Sequence, residues 1–255
     1  MMKIPVSVVI PTFNEGRFIE GCLQSVAWAD EVIVVDGGSQ DRTLEIAKKY
    51  ATKVISADNA PAETQRLKGL QEIGNAWFLL LDADERVSQD LQDKIKIAIR
   101  APVSKVAFFV LRRNYYQGKP VRLHHPDYQM RLFHKSQIQN LPNQIHRIPK
   151  IQGDTGILEG ELVHRFFTSI PDYLNKLNRY TAIESSYRAD YSRKLGALEG
   201  LKLLVWKPCG RFMQYYFLKK GYQDGFFGLF YSISSAYYDF VIAATLLIKP
   251  DKSDQ

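Results

Sequence analysis

Three acids stand together at 82–85, Asp82-Ala83-Asp84-Glu85, directly after the apolar stretch AWFLLL. Neighbouring carboxylates at the end of a buried strand are costly unless a cation or a hydrogen-bond network compensates them. A hard divalent ion, Mg²⁺ or Mn²⁺, prefers oxygen ligands, keeps some of its water and often bridges one or two carboxylates to substrate phosphates. Such an ion neutralises the charge that builds on a departing diphosphate. The plainer alternative is a D-x-D triplet that caps a helix. A second cluster begins at Asp36, in Asp-Gly-Gly-Ser-Gln-Asp. Gly37 and Gly38 let the backbone turn tightly and approach a ligand closely. The Asp36 carboxylate could accept from a base N–H or a ribose hydroxyl. Equally, the segment could be a glycine turn with a helix cap from Ser39 or Asp41. No G-x-G-x-x-G pattern is present, which disfavours a nicotinamide-dinucleotide site.

The first hundred residues supply the elements that would position these groups. Short β-rich runs at 7–10, 31–36, 53–56 and 76–81 alternate with helical spacing at 19–26, 41–50, 63–73 and after Ser88, where Leu91, Ile95 and Ile99 share a face. Continuous apolar strands separated by amphipathic helices imply a parallel sheet covered on both sides. Ligands of such sheets bind beyond the carboxyl ends of the strands. Thr12, Asn14, Glu15, Asp36, Asp82 and Asp84 all follow strand ends, so they should converge on one crevice. Further strands are expected at 106–113 and 128–134, with a turn at Gln117-Gly118-Lys119, and a helix from Pro171.

Charge is uneven within a net +7. Residues 105–150 hold nine Lys/Arg and one acid, Asp127, and all five histidines lie from His124 to His164. Such a block attracts an anion: nucleic acid, lipid headgroups or a diphosphate. No nucleic-acid motif accompanies it, and such a domain needs no acids at strand ends. His124, His125 and His134 lack the cysteines and spacing of a zinc site. Cys22 and Cys209 read as reduced thiols of a cytosolic protein. The opening MMKIPVSVVIPTFNE has too short an apolar run for a signal peptide. Near the other end, 13 of the 35 residues at 206–240 are aromatic, interleaved with Lys207, Arg211, Lys219 and Lys220. The stretch 225–248 is long enough to span a bilayer but carries Asp239 near its middle. Aromatic residues with basic neighbours suit a membrane interface; an aromatic core or an oligomer contact through this tail is the alternative.

The motifs VVIPTFNE (8–15), VVDGGSQDRT (34–43), Gln65-Arg66 and FLLLDADE (78–85) resemble, in order and spacing, the signature of family 2 glycosyltransferases over about residues 4–100. The resemblance implies a GT-A fold: an α/β, Rossmann-like nucleotide-sugar domain on a mixed, mainly parallel sheet, here expected over 1–195. Helices of a membrane-associated tail are expected over 196–255. It further implies that Pro11, Thr12, Glu15, Asp36 and Arg66 hold the nucleoside, that Asp82 contacts ribose or metal, and that Asp84 holds Mg²⁺ or Mn²⁺ at the diphosphate. RRNYYQGKP (112–120), PDYQMRLF (126–133), the 162–181 segment and the aromatic tail are similar to the branch of lipopolysaccharide-core β-glucosyltransferases. That branch works on lipid-anchored acceptors at the cytoplasmic face of the inner membrane, here by inverting transfer of a hexose from a UDP-sugar. It often has Val-His-Glu where this chain has Ile145-His146-Arg147. The departure leaves open a binding protein that has lost catalysis.

An inverting transfer needs a base for the acceptor hydroxyl, and a positioned carboxylate or imidazole serves best. Asp127 is the first candidate, with pairing to Arg131 or Arg122 as its structural alternative, and His146 is the second. His164 could complete the metal's ligands, or be an ordinary buried histidine. Arg112, Arg113 and Arg131 could touch the diphosphate or an anionic acceptor.

Overall fold

The computed structural model describes residues 3–123, 125–140, 151–165, 169–192 and 197–248. Its elements, in chain order, begin with β1 (Ile4–Thr12), α1 (Ile19–Ser25), β2 (Ala29–Asp36), α2 (Thr43–Tyr50), β3 (Lys53–Ser56) and α3 (Ala62–Leu70). Next come β4 (Trp77–Leu80), β5 (Glu85–Val87), α4 (Gln89–Arg100), β6 (Ala107–Tyr116), β7 (Lys119–Pro120), β8 (Asp127–His134) and β9 (Thr155–Arg165). The last are α5 (Ile170–Ser192), α6 (Ala197–Leu201), α7 (Lys207–Met213) and α8 (Gly225–Leu247). Two units form: Met1–Asn114 with Pro126–Arg165, and Tyr115–His125 with Phe166–Gln255. The division therefore falls at 165/166, where the sequence suggested 195/196, and α5 belongs wholly to the second unit.

In the first unit the strand order is β3-β2-β1-β4-β8-β6-β9-β5. β3, β2, β1 and β4 run parallel. Both faces of β1, β4 and most of β2 are buried, which is why they read as unbroken apolar runs; β3, at the edge, is partly exposed. Val6, Val8, Ile10, Val32 and Val34 pack with Ile19, Leu23, Ile46, Leu91 and Ile95 on one side. Val9, Ile33, Val35 and Phe78 pack with Leu70, Ile73 and Phe133 on the other. α3 comes so close to the sheet that a Cβ on Gly69 would lie 2.5 Å from Val9 Cγ1. α4 begins as the sequence suggests: Ser88 is its N-cap and Ser88 Oγ accepts from Leu91 N.

Beyond β4 the sheet becomes antiparallel, through β4–β8, β6–β8 and β5–β9. β5 and β9 are absent from the sequence reading. β5 has only three residues, and the polar members of β9 mask its alternation.

In the second unit, Tyr115 and Tyr116 pair with β7, and Val121, Leu123 and Phe227 form a small core with Tyr116, Tyr215 and Tyr231 around it. The Asp224 carboxylate accepts from the backbone N–H groups of Arg122 (2.9 Å) and Leu123 (2.7 Å). From Ala197 to Leu218 the backbone is helical, with π-type turns at Lys202–Trp206 and Gln214–Leu218. Asp239, midway along α8, is 3% exposed. It accepts from Arg211 Nε at 2.7 Å and lies 3.5 Å from Lys207 Nζ.

Candidate nucleotide-sugar site

The carboxyl ends of β1 and β2 lie in register, with Thr12 opposite Asp36. Thr12 N–H donates to Gln65 Oε1 at 3.0 Å, and Gly37 N–H donates to Thr12 O at 2.8 Å. Among the described residues the buried Thr12 hydroxyl has no hydrogen-bond partner, and Pro11 is buried beside it. An unsatisfied hydroxyl buried at a strand end is costly on its own and suits a group supplied from outside.

Asp36 closes its own turn. Its Oδ2 accepts from Gly38 N (2.9 Å) and Ser39 N (2.8 Å), and its Oδ1 accepts from Ser39 Oγ (2.5 Å). Gly38 has φ +93°, a value that favours glycine. The glycine-turn alternative is thus part of the structure, and a ligand would share a carboxylate already accepting three hydrogen bonds. The loops after β1 and β2 are laced together. Asn14 N–H donates to Ser39 Oγ (2.8 Å), Gln40 N–H to Asn14 Oδ1 (2.8 Å), and Gly16 N–H to Asp41 Oδ2 (3.0 Å). Glu15 joins them through its N–H, which donates to Thr43 Oγ1 at 2.9 Å.

The acid run at 82–85 splits three ways. Asp82 accepts from Arg66 Nη2 on one oxygen and from Arg131 Nη2 on the other, each at 2.6 Å. Burial opposes ionisation here, but Arg131 and Arg66 prevail and hold the Asp82 carboxyl well below the usual carboxylate range. Glu85 is fully buried. Its Oε1 accepts from Arg131 Nη2 at 2.6 Å and its Oε2 from Asp82 N at 3.0 Å. Burial outweighs Arg131 at this residue and raises the Glu85 carboxyl. Asp84 faces elsewhere: its Oδ2 lies 3.4 Å from His164 Nε2. The other ring nitrogen of His164 is 2.6 Å from Asn114 Oδ1. An Nδ1–H donated to that carbonyl leaves the Nε2 lone pair directed at a carboxylate.

This geometry bears on the expected metal ligands. Asp84 and His164 meet; Asp82 does not join them, because two guanidinium groups already balance its charge. Among the described residues no cluster of three or more His, Cys, Asp or Glu is set to hold a metal ion. The pair still fits a divalent ion. Two donors 3.4 Å apart suit adjacent ligand positions at metal–ligand distances of about 2.0–2.2 Å. A histidine ligand commonly donates its second nitrogen to a carbonyl, as His164 does to Asn114.

Asp127 is paired too, with Arg112 rather than Arg131 or Arg122. Its Oδ2 accepts from Arg112 Nε at 2.8 Å and its Oδ1 from Gln129 Nε2 at 2.6 Å. Arg112 Nη1 also lies 3.6 Å from Glu85 Oε1. Charges therefore alternate along Arg66–Asp82–Arg131–Glu85–Arg112–Asp127. The sequence reading placed Glu85 in the acid run without a role of its own, and gave Arg112 and Arg131 to a diphosphate or acceptor, with Arg131 also a possible partner of Asp127. The available signal was an acid held in the buried β5 opposite a chain with several arginines. Arg113 pairs with Glu161 at 3.2 Å. His146, Arg147 and His124 lie outside the described residues.

The comparisons agree with this architecture. The curated relatives include the lipopolysaccharide core biosynthesis glycosyltransferase LpsC of Rhizobium meliloti, 24% identical over 96% of this chain and 92% of that protein. The uncharacterized glycosyltransferase RP128 of Rickettsia prowazekii is 28% identical over 94% of this chain and 86% of its own. Among solved structures, the mannosyltransferase PcManGT of Pyrobaculum calidifontis, in complex with GDP-Man and Mn²⁺, aligns with a TM-score of 0.56 and 14% identity over 98% of this chain and 89% of that one. TarS 1-349 of S. aureus aligns with a TM-score of 0.50 and 13% identity over 96% and 90%. The fold is GT-A. The family described as Glycosyl transferase family 2 matches residues 7–151, more than half of the chain. With the strand-end acids, the laced β1 and β2 loops and the turn from parallel to antiparallel pairing, this match makes the chain a member of glycosyl transferase family 2.

Proposed function

We propose that this family 2 glycosyltransferase is an inverting, metal-dependent hexosyltransferase. It takes its sugar from a nucleotide-diphosphate donor, UDP-linked by the sequence resemblance, and passes it to a lipid-linked or lipopolysaccharide-type acceptor at the cytoplasmic membrane face. The observation that carries the reading is Asp84 and His164, 3.4 Å apart, with His164 oriented by Asn114. The Mn²⁺ and GDP-Man of PcManGT support a metal and a nucleotide sugar, and the name of LpsC supports the acceptor class.

Asp84 and His164 would hold Mg²⁺ or Mn²⁺, which supplies positive charge for the leaving diphosphate. Thr12 offers its unsatisfied hydroxyl to the nucleoside, and Arg66, fixed by Asp82, presents its remaining N–H groups. Glu15 and Asp36 complete the nucleoside side. The acceptor oxygen forms its bond to the anomeric carbon as the bond to the diphosphate oxygen breaks, and its proton passes to a base. Asp127 serves as that base by exchanging the Gln129 amide for the acceptor hydroxyl; His146 is the second candidate.

Both Asp127 oxygens are engaged, and Arg147 stands where the similar branch has glutamate. These two facts favour, as a second reading, a protein that binds the donor without turnover. Incubation with Mn²⁺, a panel of nucleotide sugars and lipid acceptors, read as nucleotide release, separates the readings. Turnover that Asp84→Ala abolishes supports transfer. Metal-dependent binding with no release from any donor–acceptor pair supports the second reading, and turnover by Asp84→Ala at the parent's rate refutes the metal role.

A further inference from the structure

Four arginines of the first unit, Arg66, Arg112, Arg113 and Arg131, face acids. Arg86 and Arg165 face each other. Neither guanidinium meets a carboxylate or donates a hydrogen bond among the described residues. Arg86 is the middle residue of β5 and is half-buried; Arg165 ends β9 and is exposed. Arg86 pairs with Val163, two positions before Arg165, so the two arginines leave one face of the ladder as diagonal neighbours. Such neighbours lie about 7–8 Å apart, within reach of long side chains. After burial, the charge of Arg165 is the largest influence lowering the Arg86 pKa. Two like charges held together repel, and an anion between them relieves the repulsion.

Arg86 is also held from behind. Its guanidinium lies against Gly21 of α1, so closely that a Cβ at Gly21 would fall within 2.5 Å of Arg86 Nε, Cζ and Nη2. Glycine is a poor residue inside a helix; here it opens a seat for the arginine. Arg17 stands one turn before Gly21, where the backbone is already helical, with Ile19 N–H donating to Glu15 O. The acids nearby are engaged elsewhere. Glu20 accepts from the Tyr50 hydroxyl at 2.8 Å, and Glu161 of β9 lies with Arg113. Successive strand residues point to opposite faces. Arg165 therefore leaves β9 opposite to His164, and Arg86 leaves β5 opposite to Glu85. The pair adjoins Asp84, whose carbonyl accepts from Arg165 N at 3.1 Å, without joining the Asp84–His164 donors.

We propose that Arg86 and Arg165, with Arg86 seated on Gly21, form a second anion site that takes a phosphate dianion. Guanidinium forks bind phosphate oxygens in pairs, and two fixed cations match the two charges. The site is separate from the place of the donor's diphosphate. Its phosphate comes either from a phosphorylated acceptor or from free inorganic phosphate, which share this chemistry. The acceptor source rests on the transferase reading; the site itself does not.

The full chain is titrated, free of metal and nucleotide, with inorganic phosphate, glucose 6-phosphate and glucose, and binding is read by thermal shift. The expected result is saturable binding of both phosphates, none of glucose, and weakening by salt. Arg86→Gln and Arg165→Gln should each weaken phosphate on the order of tenfold, the scale of one hydrogen bond to a charged group. Gly21→Ala keeps every charge but fills the seat. The flexible guanidinium end then swings aside, so phosphate binding should fall by a similar factor while the ligand-free melting temperature is kept. Binding of UDP with Mn²⁺ should stay parent-like in all three variants. No phosphate binding by the parent would overturn the proposal, as would parent-like binding by Gly21→Ala and Arg86→Gln. So would loss of UDP in step with phosphate, which would make the arginines part of the donor site. A parent that binds phosphate but no UDP would keep this site and count against the transferase reading. In transfer assays, a raised KM at unchanged kcat for Arg86→Gln, confined to phosphorylated lipid acceptors, assigns the phosphate to the acceptor. A response to free phosphate that Arg86→Gln removes assigns it to inorganic phosphate.

Discussion

Arg131→Met is the sharpest test of the charge network. The arginine is 7% exposed and its Nη2 lies 2.6 Å from both Asp82 and Glu85. Methionine fills much of the volume and removes the charge. Asp82 keeps Arg66 and is about a quarter exposed, so water absorbs part of its loss. Glu85 is fully buried; among the described residues Arg112, at 3.6 Å, is the one cation it keeps, beside the hydrogen bond from Asp82 N. Removing one partner of a buried pair costs about 3–5 kcal/mol, and most of that falls on Glu85. A unit of this size loses about 2–4 °C of melting temperature per kcal/mol, so a drop on the order of 10 °C is expected in calorimetry. Arg131→Lys supplies a point charge without the fork and should recover part of the loss. In a double-mutant cycle, Arg131→Met with Glu85→Gln should be markedly less destabilised than the sum of the single variants. An Arg131→Met protein within about 1 kcal/mol of the parent, or strict additivity with Glu85→Gln, would refute the reasoning.

Other consequences can be measured alongside. Asn114→Leu removes the acceptor that orients His164 and should weaken Mn²⁺ binding by about 10–100-fold, read by metal-dependent thermal shift. Asp84→Ala should remove that shift entirely while leaving the metal-free melting temperature close to the parent's. Asp82 is depressed on folding, so its contribution to stability is present above the unfolded pKa of about 3.9 and is lost as pH falls through the lower folded value. Acid titration of unfolding should therefore steepen below about pH 4, and Asp82→Asn should flatten that limb. Gly69→Ala places a methyl 2.5 Å from Val9 Cγ1 and should cost about 1–3 kcal/mol in urea unfolding.

Much of the first unit was legible because buried parallel strands announce themselves. β3 and the Ser88 cap fall on the expected residues, and β1, β2, β4, α2 and α3 differ only at their ends. Local apolar runs and caps fix such elements. β5 and β9 were not legible, since their partners are far apart in sequence: Glu85 pairs with His164. The same distance hid the meeting of Asp84 with His164. The site residues were readable as types at strand ends, but not as partners. Asp82 looks like a metal ligand until Arg66 and Arg131 are seen on its two oxygens. Asp127 could be read as a base or as a paired carboxylate, but its partners Arg112 and Gln129 could not be named. Side-chain charge balance is set by tertiary contacts, and sequence spacing carries no record of it.

The second unit interrupts the first: Tyr115–His125 belongs to it, though the chain on either side does not. Val121 and Leu123 of that excursion rest on Phe227, about a hundred positions later, and Asp224 holds the backbone between them. A fragment cut at Arg165 would keep the excursion and discard its cover. It would leave the Val121 and Leu123 side chains and two amide hydrogens stranded in water, a sticky product whatever the soundness of the sheet. Shortening the protein cleanly means replacing 115–125 as well as ending early, and an insertion at either place has to respect the other.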